Sequence, residues 1–165
     1  MSTGFTGEDN TGTNSKAEDV SKKSGKRLLY WAATLSILAL VAHAIDAPDH
    51  LKEWWVYASI FIVAGSAQFF YGIALFFQPW RYDESGGVRK DAERFARPYY
   101  ILGIVLDVFV IVLYIITRTT GLPFLGSDAA AESITALSLA PVIVGIPLLY
   151  CLVLLLRRTG DASVK

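Results

Sequence analysis

The chain has 165 residues, enough for one domain, and 53% of them are hydrophobic, with a mean hydropathy of +0.43. Its 15 Lys and Arg balance 15 Asp and Glu, yet the zero net charge averages a segregated pattern, because the charges gather in the first 27 residues, in three short connections and at the end. A single cysteine, Cys151, excludes an internal disulfide and a cysteine-based zinc site, and basic residues spread over short loops, with no nucleic-acid motif, exclude nucleic-acid binding.

Residues 1–26 (MSTGFTGEDNTGTNSKAEDVSKKSGK) are rich in Ser, Thr, Gly and charge and cannot bury a core, so a disordered tail is expected there. Four apolar runs follow. They are 28–45 (LLYWAATLSILALVAHAI), 54–78 (WWVYASIFIVAGSAQFFYGIALFFQ), 99–117 (YYILGIVLDVFVIVLYIIT) and 133–156 (SITALSLAPVIVGIPLLYCLVLLL). A bilayer core roughly 30 Å thick needs about 20 apolar residues in a helix. A soluble bundle would place polar residues at helical spacing along each run; these runs are apolar all round. The expected fold is therefore an all-α bundle of four transmembrane helices over 27–158, with a short tail at 159–165. The first run ends in Ala42-His43-Ala44, which resembles a signal-peptidase site, and cleavage would take His43 away; a polar leader of about 27 residues favours a retained span.

Between the second and third runs, 81–97 (RYDESGGVRKDAERFAR) reads as a basic connector in which VRKDAERFAR has the spacing of two amphipathic turns. Counting cations orients the chain. Thirteen lie in the tail, in this connector and at the end, against two, Lys52 and Arg118, on the opposite side. Both termini are thus expected in the cytoplasm, with the protein in the plasma membrane. Trp31, Trp80, Tyr99 and Tyr100 read as anchors at the inner boundary, Trp54 and Trp55 at the outer one.

Inside the runs, the polar residues stand out. Asp107 lies near the middle of the third span, where a carboxylate costs at least about 2.5–3.5 kcal/mol, so it must face protein or water. Gly103, Tyr114 and Arg118 share its helix face. In the second span, Ala58, Gly65 and Gly72 recur every seven residues as a smooth stripe, and Gln68 sits on it. A hydrogen bond between Gln68 and Asp107, joining spans two and three, is the simplest expectation. Two roles follow: a static helix-to-helix tie, or a proton- or ion-linked carboxyl group. In the fourth span, Pro141 and Pro147 flank Gly145 and would free the carbonyls of Leu137 and Ile143, bending the helix.

The first outer connection is the other polar concentration: 43–55 reads HAIDAPDHLKEWW. Pro48 is expected to break the helix, with Asp46 capping a new one. His50, Glu53 and Trp54 would then share a face at i, i+3 and i+4. If the turn folds back, His43, His50 and Glu53 converge, with Asp46, Asp49 or Glu132 supplying a further oxygen. Such a set suits a divalent metal ion. An ordinary outer turn, with a cap, a proline and amphipathic side chains, is the alternative. Arg118 faces the same water layer, where it could hold an anion or pair with Glu132 or Glu53.

His43, His50, Glu53, Trp54, Gln68 and the run Thr117-Arg118-Thr119 with Gly121-Leu122-Pro123 resemble a group of small, uncharacterised bacterial four-helix membrane proteins. The resemblance covers about residues 40–135 and implies the fold and an outer polar face, without a reaction. The leading expectation is a non-enzymatic accessory or ligand-binding membrane protein, with an outer site at His43, His50, Glu53 and Arg118 above Gln68 and Asp107. The alternative is a small proton- or ion-coupled carrier using Asp107. A membrane metalloenzyme ranks last, because no HExxH or paired-carboxylate motif is present. Expected partners are the lipid bilayer and other membrane-protein chains, whether partner proteins or further copies.

Overall fold

The computed structural model describes residues 11–53, 55–82, 86–89, 91–120 and 139–162; for some helical residues, among them 11–22, Asp46, Asp49, His50, Lys52 and Glu53, only the backbone is described. Four helices carry the fold: α1 (Thr11–Glu53), α2 (Trp55–Phe77), α3 (Ala92–Thr119) and α4 (Ala140–Ala162). Each contains a stretch long and apolar enough to cross a membrane: Lys23–Ile45, Ala58–Arg81, Arg94–Thr119 and Ala140–Gly160. The protein is an all-α four-helix bundle with the make-up of a multi-pass membrane protein.

Neighbouring helices run in opposite directions, so the bundle has two distinct ends. At one, called here the hairpin end, α1 passes into α2 and α3 finishes. At the other, the basic end, Lys23, Lys26, Arg27, Arg81, Arg94, Arg97, Arg157 and Arg158 are all exposed. α1 lies along α2 over most of its apolar length and also against α4, α4 packs on α3, and α2 and α3 touch only lightly. The α1–α2 pairing follows from the small-residue stripe. A Cβ on Gly72 would lie 2.9 Å from the Ala33 carbonyl oxygen, and one on Gly65 would lie 3.0 Å from His43 Cβ. The stripe therefore receives α1 rather than α3.

An apolar cluster occupies the half of the bundle nearer the basic end. Leu29, Tyr71, Leu75, Leu152 and Leu155 belong to it, as does Trp80 from the short 3-10 turn Pro79–Arg81. Trp80 stacks on Tyr99 with ring centroids 4.5 Å apart and meets Tyr100 edge-on at 6.1 Å. That corrects its expected role as a boundary anchor: Trp80 is buried, whereas Trp31 and Trp55 are exposed. α2 stops before this turn because Pro79 disfavours helical geometry in the residue before it. Gln78 leaves the helix in a left-handed conformation (φ 51°), and its Oε1 accepts from Arg81 Nη1 at 2.9 Å.

Other expectations also change. α1 runs back to Thr11, so helix replaces the expected disorder from that point on; residues 1–10 lie outside the described ones. α1 also continues through Pro48 to Glu53 instead of breaking there. Pro48 has no N–H to offer the Ala44 carbonyl, so one bond of the ladder is missing just where the span Lys23–Ile45 ends. The backbone of Asp46 therefore lies inside α1 and not at the start of a new helix. The AERFAR segment is the first part of α3 itself, not a separate surface helix. In the last span, α4 starts at Ala140, which puts Pro141 in the first turn where its missing N–H costs nothing; only Pro147 interrupts the ladder. Residues 133–138 of the expected span lie outside the described ones.

Candidate functional site

Halfway along the bundle, three helices send polar side chains to one place. α1 presents Ser36 and His43, seven residues apart and so on one face. α2 presents Gln68 and α3 presents Asp107. All four are buried, with His43 and Asp107 each only 1% exposed and Gln68 2%. Ser36 Oγ donates to the Gln68 backbone carbonyl at 2.6 Å. The Gln68 amide then joins the other two: His43 Nε2 lies 3.2 Å from Gln68 Oε1, and Gln68 Nε2 donates to Asp107 Oδ1 at 3.2 Å. An amide oxygen only accepts, so the proton in the first of these bonds sits on His43 Nε2. The chain thus runs in one sense, from imidazole through amide to carboxyl group.

Glycines make the room. Gly65 of α2 lies under His43, and the His43 ring sits 5.6 Å from that of Phe61. From the far side, α4 closes over Asp107 with Gly145, where a Cβ would come within 3.2 Å of Oδ1. All four helices therefore wall the site. The expected Gln68–Asp107 bond is present, although α2 and α3 barely touch and the two residues meet because α1 and α4 hold the outer helices in place. Among the described residues, Asp107 Oδ2 has no hydrogen-bond partner. One carboxyl oxygen is tied and the other is available to a proton, a cation or water.

Further along the same face of α3, Tyr114 and Thr117 are buried; Thr117 Oγ1 donates to the Tyr114 carbonyl at 2.9 Å. The half-buried Arg118 places its guanidinium 5.5 Å from the centre of the Tyr114 ring. The predicted row Gly103, Asp107, Tyr114 and Arg118 is thus one face in fact, with Gly103 filled by the ring of Tyr71 from α2. Tyr71 Oη donates to the Tyr99 carbonyl at 3.0 Å.

His43 is the residue whose placement differs most from expectation. The sequence reading made it a candidate ligand of an outer cluster, with an ordinary outer turn as the alternative. Instead it points into the bundle and belongs with Gln68 and Asp107, because α1 stays helical and keeps it on the Ser36 face. The backbone of 46–53 is helical too, so no turn folds back to bring His43, His50 and Glu53 together in the manner expected. The side chains of Asp46, His50 and Glu53, and Glu132 altogether, lie outside the described residues. Among the described residues, no group of three or more His, Cys, Asp or Glu could hold a metal ion. The seven-residue step from Ser36 to His43, beside the stripe carrying Gln68, was the signal that could have placed His43 inside. No family model, no curated protein and no solved structure matches the chain.

Proposed function

We propose that this membrane protein is a small proton- or ion-coupled carrier in which Asp107 is the group that loads and unloads, with both termini cytoplasmic. The observation that carries the reading is the buried relay His43–Gln68–Asp107, which leaves Asp107 Oδ2 without a partner among the described residues at mid-bundle. A tie that served only to hold helices would use both carboxyl oxygens, because an orphaned buried acceptor costs roughly 1–3 kcal/mol. Ionisable groups at this depth are functional candidates by default. The relay also supplies a second titratable ring, His43, linked to the carboxyl group through one amide. The accessory or ligand-binding reading loses one of its four outer residues, His43, which is buried with Gln68.

Infrared difference spectra of proteoliposomes, stepped in pH or in Na+ concentration, test the assignment. A carboxyl band that changes with the step in the wild type and is missing from Asp107→Asn supports exchange at Asp107. A spectrum with no carboxyl band that responds to either step overturns it. Orientation rests on the thirteen-to-two cation imbalance. Reporters fused to each terminus should both read cytoplasmic, and an external reading at either end would reverse the assignment.

A further inference from the structure

What Asp107 can load depends on the other oxygen atoms beside it. A hard metal cation is held by a shell of about six oxygens, whereas a proton needs one. Gln68 contributes none to such a shell. Its amide N–H meets Asp107 Oδ1 at 3.2 Å, while its Oε1 lies towards His43 Nε2. Ser36 Oγ is committed to the Gln68 backbone carbonyl at 2.6 Å. On the remaining side, Gly145 of α4 approaches so closely that a Cβ there would come within 3.2 Å of Oδ1. Among the described residues, no group of three or more His, Cys, Asp or Glu could hold a metal ion.

Backbone carbonyls do not make up the number. Carriers that bind Na+ within the bilayer take carbonyls from discontinuous, locally unwound helices. Here α1, α2 and α3 are continuous at the level of the relay, so their carbonyls are spent on the helix ladder. The carbonyls released by proline nearest this level are those of Ala44, opposite Pro48 in α1, and Ile143, opposite Pro147 in α4. Both residues are exposed. Ile143 is also two residues from Gly145, about 200° round the helix, and so lies on the side of α4 away from Asp107.

An ionised Asp107 would in addition need a counter-charge. The titratable side chains buried on the helices around it are His43 of α1, Tyr71 of α2, Tyr114 of α3 and Cys151 of α4. Tyr and Cys carry no positive charge in any state, and His43 is held off by the intervening amide. Arg118 is eleven residues along α3, about 16 Å of helix rise, with its guanidinium beside the Tyr114 ring. A neutral acid suits these surroundings. Its carbonyl oxygen, Oδ1, accepts from Gln68, and its hydroxyl is Oδ2, the atom without a partner among the described residues.

We infer that the species loaded and unloaded at Asp107 is a proton and not a metal cation, and that in this conformation the proton rests on Oδ2. The inference rests on the loading role of Asp107 and names its cargo. Loading forms the Oδ2–H bond and leaves the group neutral; unloading breaks that bond and leaves a carboxylate.

The test is a pH titration of the Asp107 carboxyl band in proteoliposomes of the full-length protein, repeated at rising Na+, K+, Li+, Mg2+ or Ca2+ with choline holding the ionic strength constant. Asp107→Asn identifies the band by removing it. Asp107→Glu, which keeps the acid, should move the band rather than remove it. The midpoint should be the same in every salt. A cation that binds the carboxylate competes with the proton and lowers the midpoint, approaching about one pH unit for each tenfold rise in its concentration. Such a fall, or a band that answers to a cation and not to pH, would overturn the proton assignment and leave the loading role standing. A band that answers to neither would sink the loading role, and the cargo with it.

Discussion

Gln68 is the side chain on which the site depends, since its amide bridges the imidazole and the carboxyl group. Replacing it with leucine keeps much of the volume and removes both bonds. Gln68→Leu should lower stability by about 1–3 kcal/mol, the usual consequence of stranding buried polar groups. Reversible unfolding in mixed micelles would measure it. Gln68→Glu offers a contrast, because a second acid beside Asp107 replaces the donor in that bond with an acceptor or a competing proton site. Asp107→Asn should change stability by less than Gln68→Leu, since an amide oxygen still accepts from Gln68. A loss as large as that of Gln68→Leu would mean that the carboxyl group serves mainly to hold the helices. At this scale the sequence announced Gln68 and Asp107 plainly, because a polar residue in an apolar run must face protein or water. It misplaced His43, which lies at the end of its run, where sequence position alone fits either the turn or the interior.

At the scale of the helices, glycine decides which surfaces meet. Gly72 accepts the α1 backbone and Gly103 accepts the Tyr71 ring, so an added methyl group has no free space at either. Gly72→Ala and Gly103→Ala should each cost about 1–3 kcal/mol, in line with overpacking elsewhere. Gly160→Ala is the control, because nothing lies within 4 Å of the position a Cβ would take, and it should be neutral or slightly stabilising. The same micelle unfolding assay ranks the three. At Gly103 the obstacle is a side chain, so Tyr71→Leu should relieve part of the cost; at Gly72 the obstacle is backbone, and no single substitution of a neighbour should. Sequence spacing exposed the Ala58, Gly65 and Gly72 stripe but not its partner, since a smooth face can receive any helix. The two prolines of the last span show the same limit. Pro141 and Pro147 look alike in the sequence, and only the start of α4 at Ala140 separates a harmless first-turn proline from an interrupting one.

For the whole molecule, the bundle has a basic end and a hairpin end, with the large apolar cluster nearer the basic end. Anionic lipid should sit at the basic end, where eight exposed Lys and Arg side chains gather from α1, α3, α4 and the 3-10 turn. Arg158 at that end also reaches Ser24 of α1 at 3.1 Å, tying the first helix to the last. Arg157→Gln with Arg158→Gln should weaken retention of anionic lipid in native mass spectra without disturbing the infrared response of Asp107, because the apolar cluster separates the two regions. A changed Asp107 response would show that this cluster does not insulate Asp107 from the basic end.

Length and polarity alone determined the four spans, since crossing a bilayer is a local demand: about 20 consecutive apolar residues meet it whatever their neighbours are. The same local logic located Asp107 and Gln68 as residues that lipid could not explain. Only the tertiary structure decided that α1, not α3, fills the glycine stripe, that His43 completes a relay with Gln68 and Asp107, and that Trp80 is buried. Those outcomes depend on how each helix is rotated about its axis and which neighbour it meets. In an all-round apolar helix no hydrophobic face records that rotation, so it is set by the close fit of small residues and the pairing of a few buried polar groups.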